Sequence, residues 1–287
     1  MYGKNREIAD VGIVIPSETY LFSPWEYNYY FTELLRGVIA AASLFECDVS
    51  IFHRGFHRER GYLELSGKSD YSGLIILAPV LKEKHAAEIR AIKKPVILIN
   101  SRYPGMNHID VDNKKGARKA VEYLCDMGHS DIGFISGKIE TANARGRLEG
   151  YKSVMDERSK IKDGFIRYGD FSKDSGFHEM MELLELKKRP TAVFCANDLM
   201  ALGAIKAIRE KKLKVPGDVS IIGFDDLVIS RYFTPPLTSV RQPLFHIGKE
   251  ALINLIGIIN KEKEEPQEVE IETRLIKRDS VARFEKG

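Results

Sequence analysis

Pro190–Pro243 reads PTAVFCANDLMALGAIKAIREKKLKVPGDVSIIGFDDLVISRYFTPPLTSVRQP. Thr191 to Cys195 is a short β-branched and apolar run, and Asn197-Asp198 stands as a helix cap before an apolar-periodic segment carrying Leu199, Leu202, Ile205, Ala207 and Ile208. Lys211, Lys212 and Lys214 fall where cations suit a helix C-terminus, and Pro216-Gly217 turns the chain. Val219 to Phe224 is a second apolar run that ends in Asp225-Asp226. Strand, helix and strand joined by a crossover of about 25 residues form a βαβ unit with parallel strands. In such a sheet ligands gather beyond the carboxyl ends of the strands, where Asn197 and Asp225 stand.

The segments ANDLMALGAI, GDVSIIGFDD and PPLTSVRQP resemble the C-terminal half of the effector-binding core of the lactose/galactose-repressor (LacI/GalR) family of transcription regulators. The likeness runs from about Asp10 to about Arg283, and several motifs at the right spacing make it more specific than any one of them. It implies an α/β fold of two doubly wound parallel-sheet lobes, periplasmic-binding-protein-like of type I, joined by a three-segment hinge.

Composition fits that class. Lys plus Arg number 44 against 41 Asp plus Glu, a formal charge of +3, far from the dense basic surface of a protein whose affinity rests on phosphate contacts. Cys47, Cys125 and Cys195 are far apart, odd in number and set in apolar runs, as buried thiols of a reducing compartment are. MYGKNREIAD holds no apolar stretch of signal-peptide length and no segment approaches the roughly 20 apolar residues of a membrane span, which favours a cytoplasmic location.

In chain order, Val11 to Ile15 is a buried-type strand and Phe31, Leu34, Leu35, Val38, Ile39 and Ala42 take helical spacing. Between them lies a long loop with Tyr20, Phe22, Trp25, Tyr27 and Tyr29, either a lid or binding loop or a set of rings packed on a partner or on the loop's own base. Strands follow at Val49 to Phe52, Leu74 to Leu77 and Val96 to Ile99, with a short helix in the polar connector between the first two and another helix near Leu81 to Ile92. His53 and His57 have metal-ligand spacing, but Gly55 weakens a helix there and Arg54, Arg58 and Arg60 repel a cation, so no metal is expected. Ile109 to Val111 reads as an extended link, the first crossing between lobes, and Asp112 caps a helix that Gly128 stops. DIGFIS at Asp131 to Ser136 then restates the opening VGIVIPS, a weak internal repeat of two βα halves. A strand at Phe165 to Tyr168, a helix at Lys173 to Lys187, an extended return at Leu237 to Val240, an apolar helix through Leu252, Leu255 and Ile259, and one last strand at Val269 to Ile276 complete the pattern. Crossings near 110, 240 and 265 divide the chain into a linker at 1–9, an N-terminal lobe of 10–110 plus 241–264 and a C-terminal lobe of 111–240 plus 265–287.

The candidate ligand set is Ser17, Tyr30, Asn100, Asn143, Arg147, Phe171, Asn197 and Asp225, all at strand ends or helix starts and expected to face an interlobe cleft. A polyhydroxyl ligand suits them: Asp225 accepts hydroxyl protons, Arg147 donates a fork of bonds, Asn197 does both, and Phe171 or Tyr30 covers an apolar ring face. By resemblance Arg147, Asn197 and Asp225 fall on effector-contacting positions of the family, while Asn100 falls where the family often has Asp. Plainer readings stand beside these: Asn197 as an N-cap only, Arg147 as a partner of Asp225 across the cleft, Phe171 as core.

No nucleophile elbow, Walker-type phosphate loop or cysteine pair at metal spacing is present, and His129 and His246 sit in helix-flanking positions without an obvious acid or nucleophile to work with, so an enzyme and a cofactor are not expected. His129, in a family motif, reads as structural. The family resemblance implies a small-molecule effector, a sugar first, and a homodimer through helices around Phe31 to Phe45 and Leu252 to Ile259. It also implies operator DNA bound only through an N-terminal helix-turn-helix domain that this chain does not contain, since ten residues before the first strand cannot supply three helices. The competing class is a free-standing sugar-binding protein for uptake, monomeric and secreted. A core that senses a purine or a protein is the third possibility.

Overall fold

A computed structural model describes residues 10–16, 29–54, 62, 71–80, 82–158 and 161–285. Ser17, most of the aromatic loop, the helix of the polar connector and the His53/His57 pair lie outside what is described. The chain forms two compact units, residues 1–110 with 243–271 and residues 111–242 with 272–287, so it passes from one to the other three times.

The first unit is built on β1 (Val11–Pro16), β2 (Val49–Arg54), β3 (Gly73–Leu77), β4 (Val96–Ile99) and β5 (His108–Val111), with α1 (Tyr29–Phe45) and α2 (Glu83–Arg90) between them. GLIIL and VILI are buried along their whole length, as strands covered on both faces must be. β2, β1, β3, β4 and β5 pair in parallel, and the sheet order β11-β5-β4-β3-β1-β2 reverses direction between β1 and β3; β11 is Glu268–Ile271. Two expectations change here. Residues 108–111 are a strand of this sheet and not a bare link, because Leu98 and Ile99 pair with His108 and Ile109. Residues 265–271, assigned from sequence to the second lobe, supply the edge strand of this one.

Helix α7 (Leu244–Ile259) packs backbone to backbone on α1. A Cβ at Gly37 would meet the Phe245 carbonyl oxygen and one at Gly248 the Leu34 carbonyl oxygen, so each glycine clears the other helix. Leu252, Leu255 and Ile256 are 0%, 0% and 1% exposed. The apolar face of α7 therefore fills this unit's own core and is not free to form a dimer. Ile39 and Leu44 of α1, at 50% and 58%, do remain exposed.

The second unit holds α3 (Asn113–Asp126), β6 (Ile132–Ser136), α4 (Ala142–Arg158), β7 (Ile166–Tyr168), α5 (Lys173–Leu184), β8 (Ala192–Cys195), α6 (Asp198–Glu210), β9 (Ser220–Asp225), β10 (Thr238–Arg241) and β12 (Arg274–Ile276). Its order, β12-β10-β9-β8-β6-β7, is that of the first sheet, so VGIVIP and IGFIS occupy equivalent first strands. β12 runs antiparallel to β10. The single last strand expected from sequence is thus two strands, β11 and β12, in different sheets, because the chain changes units after Ile271.

Local signals set the boundaries. Asp112 accepts from the Lys115 amide at 2.8 Å to open α3, and Gly128, at φ 92°, follows its end. His129 is 5% exposed, with Nε2 donating to the Ala282 carbonyl at 3.1 Å, Nδ1 2.9 Å from the Thr191 hydroxyl, and the ring stacked on Phe284. It ties β6 to the C-terminal segment, the structural role read from sequence. Cys47 and Cys195 are buried as expected, but Cys125 is only partly so.

Candidate ligand-binding site

In the second sheet β6, β8 and β9 end side by side around the point where strand order reverses, the position at which open α/β sheets bind ligands. Ser136 closes β6, Ala196 and Asn197 follow β8, and Asp225 closes β9. Above them α4 presents Asn143 and Arg147, one turn apart on the same helical face.

Arg147 is 2% exposed and fully engaged on one side. Its Nε donates to Asn113 Oδ1 at 2.9 Å, its Nη1 donates to the Ala196 carbonyl at 2.5 Å, and Nη1 lies 3.7 Å from Asp225 Oδ1. The guanidinium also sits 3.8 Å from the centre of the Phe224 ring, a close cation–π contact. Both Arg147 and Asp225 belong to the second unit, so their pairing is internal to it and does not bridge a cleft.

Asp225 has φ 107°, a conformation that L-residues with side chains seldom adopt. Gln242 Nε2 donates to its Oδ1 at 2.6 Å. Burial raises the pKa of this carboxyl, with the neighbouring Asp226 adding to the rise, while Arg147 and the Gln242 hydrogen bond oppose it. Asp226 itself is held by Arg241 and Arg278, each at 2.6 Å.

Asn197 is first of all a cap: its Oδ1 accepts from the Met200 amide at 2.9 Å. Its Nδ2 donates to the Phe171 carbonyl at 2.9 Å and so fixes the next residue of the set. Phe171 has φ 73° and its ring lies on Gly137, where any Cβ would strike it. It is 8% exposed, a wall of the edge more than a free platform.

Five of the eight sequence candidates, Asn143, Arg147, Phe171, Asn197 and Asp225, thus belong to the second unit. Tyr30 is a half-buried residue in the first turn of α1, in the first unit. Asn100, also in the first unit, follows β4 at φ 54°, 4% exposed, with neither amide atom hydrogen-bonded.

Four residues escaped the sequence reading. Asn113 orients Arg147, and a second short polar residue directly after the cap Asp112 was its only signal. Gln242 orients Asp225. Ser136 is fully buried with an unpartnered hydroxyl. Asp198, read as part of the cap, is fully buried and accepts from the Leu227 amide at 2.8 Å, from Ser239 Oγ at 2.5 Å and from the Ser230 hydroxyl. Burial raises its pKa, and the charge of Asp225 raises it further. Among the described residues no group of three His, Cys, Asp or Glu is placed to hold a metal.

The periplasmic binding protein-like domain family matches residues 121–281. The HTH-type transcriptional repressor PurR of Escherichia coli is 34% identical over 269 residues, covering 88% of this chain and 76% of that protein. This chain belongs to the LacI/GalR family of transcriptional regulators. Two solved LacI/GalR-type structures carry the same fold. The transcriptional regulator CelR in complex with cellobiose superposes with a TM-score of 0.86 at 28% identity, over 95% of this chain and 84% of that one. The lac repressor dimer bound to operator and the anti-inducer ONPF gives 0.82 at 26% identity, over 96% and 95%. The chain is therefore a LacI/GalR effector-binding core, and its relatives are named as transcriptional repressors and regulators. Among its described residues no helix is long and apolar enough to cross a membrane.

Proposed function

We propose that this LacI/GalR core senses a small molecule of the sugar class at the carboxyl edge of its second sheet, and that binding changes the operator affinity of a dimer whose DNA reader is a helix-turn-helix domain. The observation that carries the reading is the set Arg147, Asp225, Asn197 and Phe171 at the strand-order reversal, where an oriented guanidinium and a buried carboxylate stand beside an aromatic wall. The cellobiose named for CelR supports the ligand class, and the operator-bound dimer named for the lac repressor supports DNA and self-association as partners. The naming of these relatives as repressors and regulators favours this reading over a free-standing uptake protein.

A coupling of about 1–3 kcal/mol between effector and operator is typical of such systems, a change of roughly 5- to 150-fold in DNA affinity. The test is a thermal-shift screen across sugars, sugar phosphates and nucleobases. A ligand present at about 100 times its Kd stabilises the folded chain by about 2.7 kcal/mol, a readily measured rise in Tm. Asp225→Ala is expected to abolish the shift; a variant that keeps the full shift places the effector elsewhere and refutes the reading.

A further inference from the structure

A pocket of about 180 Å³ opens in the first unit at the amino end of its sheet. Val96 begins β4, Met106 and Asn107 precede β5, and Ile89 and Arg90 end α2; all five line the pocket. It therefore lies at the opposite end of β4 from Asn100, away from the carboxyl edge of this sheet. A cavity of about 150 Å³ in an apolar core admits benzene, so this volume suits a small organic molecule.

The floor is apolar: Ile89, Ile92, Val96 and Met106 are buried and belong to one core cluster. The rim carries both signs of charge. Arg90 donates through Nη2 to the Pro104 carbonyl at 2.7 Å and lies 5.0 Å from the centre of the Tyr103 ring, which leaves Nε and Nη1 without a hydrogen bond among the described residues. Lys94 adds a second positive charge, its Nζ donating to the Tyr71 carbonyl at 2.6 Å. Glu265 supplies the negative charge, and buried Asn107 sets its position. Asn107 Nδ2 donates to Glu265 Oε2 at 2.8 Å and to the Val96 carbonyl at 3.0 Å, while its Oδ1 accepts from the Gln267 amide at 2.8 Å. Glu265 Oε1 carries no hydrogen bond among the described residues.

This combination discriminates between ligand classes. A phosphate or other anion meets the Glu265 carboxylate, a simple cation meets Arg90 and Lys94, and a neutral apolar molecule covers both charges and pairs neither. A molecule that joins a carboxylate, an ammonium and an apolar side chain answers all three features. We propose that this pocket is a binding site for an aliphatic α-amino acid, whose carboxylate pairs with Arg90, whose ammonium pairs with Glu265 Oε1 and whose side chain lies on the apolar floor. The site is separate from the sugar-class effector reading and does not depend on it.

Isothermal titration of the full chain with L-leucine tests the assignment, beside isocaproate, which keeps the side chain and carboxylate, and isoamylamine, which keeps the side chain and ammonium. Leucine is expected to bind, and each analogue about tenfold or more weaker, the scale of one charged hydrogen bond lost. Glycine, without a side chain to bury, is expected to be weaker than leucine by about tenfold or more. Silent leucine, or an analogue or glycine that binds as well as leucine, overturns the proposal. Arg90→Met and Glu265→Gln change exposed side chains and are each expected to weaken leucine about tenfold or more. In Arg90→Met isocaproate loses affinity and isoamylamine does not; in Glu265→Gln the order reverses. A merely structural residue does not produce that crossed pattern. Parent-like leucine affinity in either variant, or an equal loss for all three ligands, overturns the assignment.

Discussion

Asp198→Ala is expected to be among the most damaging single changes in the second unit. The carboxyl is 0% exposed and accepts three hydrogen bonds that join the start of α6 to the loop after β9 and to β10: from the Leu227 amide, the Ser230 hydroxyl and the Ser239 hydroxyl. Truncation leaves all three donors behind. A buried donor without an acceptor costs about 1–3 kcal/mol, and the two hydroxyls can rotate where the amide cannot, so the sum is about 3–5 kcal/mol. That is a large share of the roughly 5–15 kcal/mol that holds a typical domain folded. Asp198→Asn keeps one acceptor and is expected to cost about 1–2 kcal/mol. The pH dependence separates the two effects. Because burial and Asp225 raise the folded-state pKa of Asp198 above its unfolded value, the native protein binds more protons than the unfolded chain above about pH 4. Its contribution is complete below that pH and declines as pH rises through the raised pKa, by at most about 1.4 kcal/mol per pH unit. Asp198→Asn has no proton to lose and is expected to show a flatter profile. Urea unfolding followed by far-UV circular dichroism at pH 5.5, 7 and 8.5 gives both numbers. A loss below about 1 kcal/mol in Asp198→Ala, or parallel pH profiles for the parent and Asp198→Asn, would falsify the reasoning.

Burial lowers the pKa of His129 and the Ala282 carbonyl only partly restores it, so the unfolded chain binds the proton more readily. Its contribution is present above the ordinary histidine pKa of about 6.5 and is lost as pH falls below it. The Tm gap between the parent and His129→Gln should therefore be wider at pH 7.5 than at pH 5.5; an unchanged gap contradicts a neutral buried imidazole. Gly203→Ala adds a methyl against the Lys173 carbonyl oxygen and the Phe177 amide where α6 crosses α5. Alanine gains about 1 kcal/mol of helix propensity, but overpacking against backbone costs about 1–3 kcal/mol and more where neither helix can yield. A net loss near 2 kcal/mol is expected in denaturant unfolding, and a stabilised variant would show that the two helices separate freely.

The strand ends and helix caps were legible in the sequence because each is a local decision. Asp112 and Asn197 cap the helices they precede, and GLIIL and VILI are apolar throughout because both faces of their sheet are covered. What stayed hidden depends on residues far apart in the chain. Nothing near Gln242 announces that it grips Asp225, 17 positions back, and nothing near Asn113 announces Arg147, 34 positions on. The last strand was misread for a related reason. Residues 268–276 have one continuous alternating pattern, and only their partners, β5 on one side and β10 on the other, divide them between two sheets.

The same contrast explains why the α7 face misled and why the Arg147 set comes together within one unit. An apolar stripe on a helix states that something covers it, without saying whether the cover is the same unit or a second copy; Gly37 and Gly248 decide that by letting α1 approach closely enough to cover it. A buried arginine carries more information, since its charge restricts which neighbours are tolerable. Arg147 at 2% exposure requires acceptors for its donors and an anion or a ring within reach, and Asn113, the Ala196 carbonyl, Asp225 and Phe224 supply them. Removing any one of these leaves the charge less compensated, so the edge resists substitution as a group. Polar residues drawn together on such terms, at the reversal point of a parallel sheet, hold a shape and a pattern of acceptors that core packing alone does not ask for.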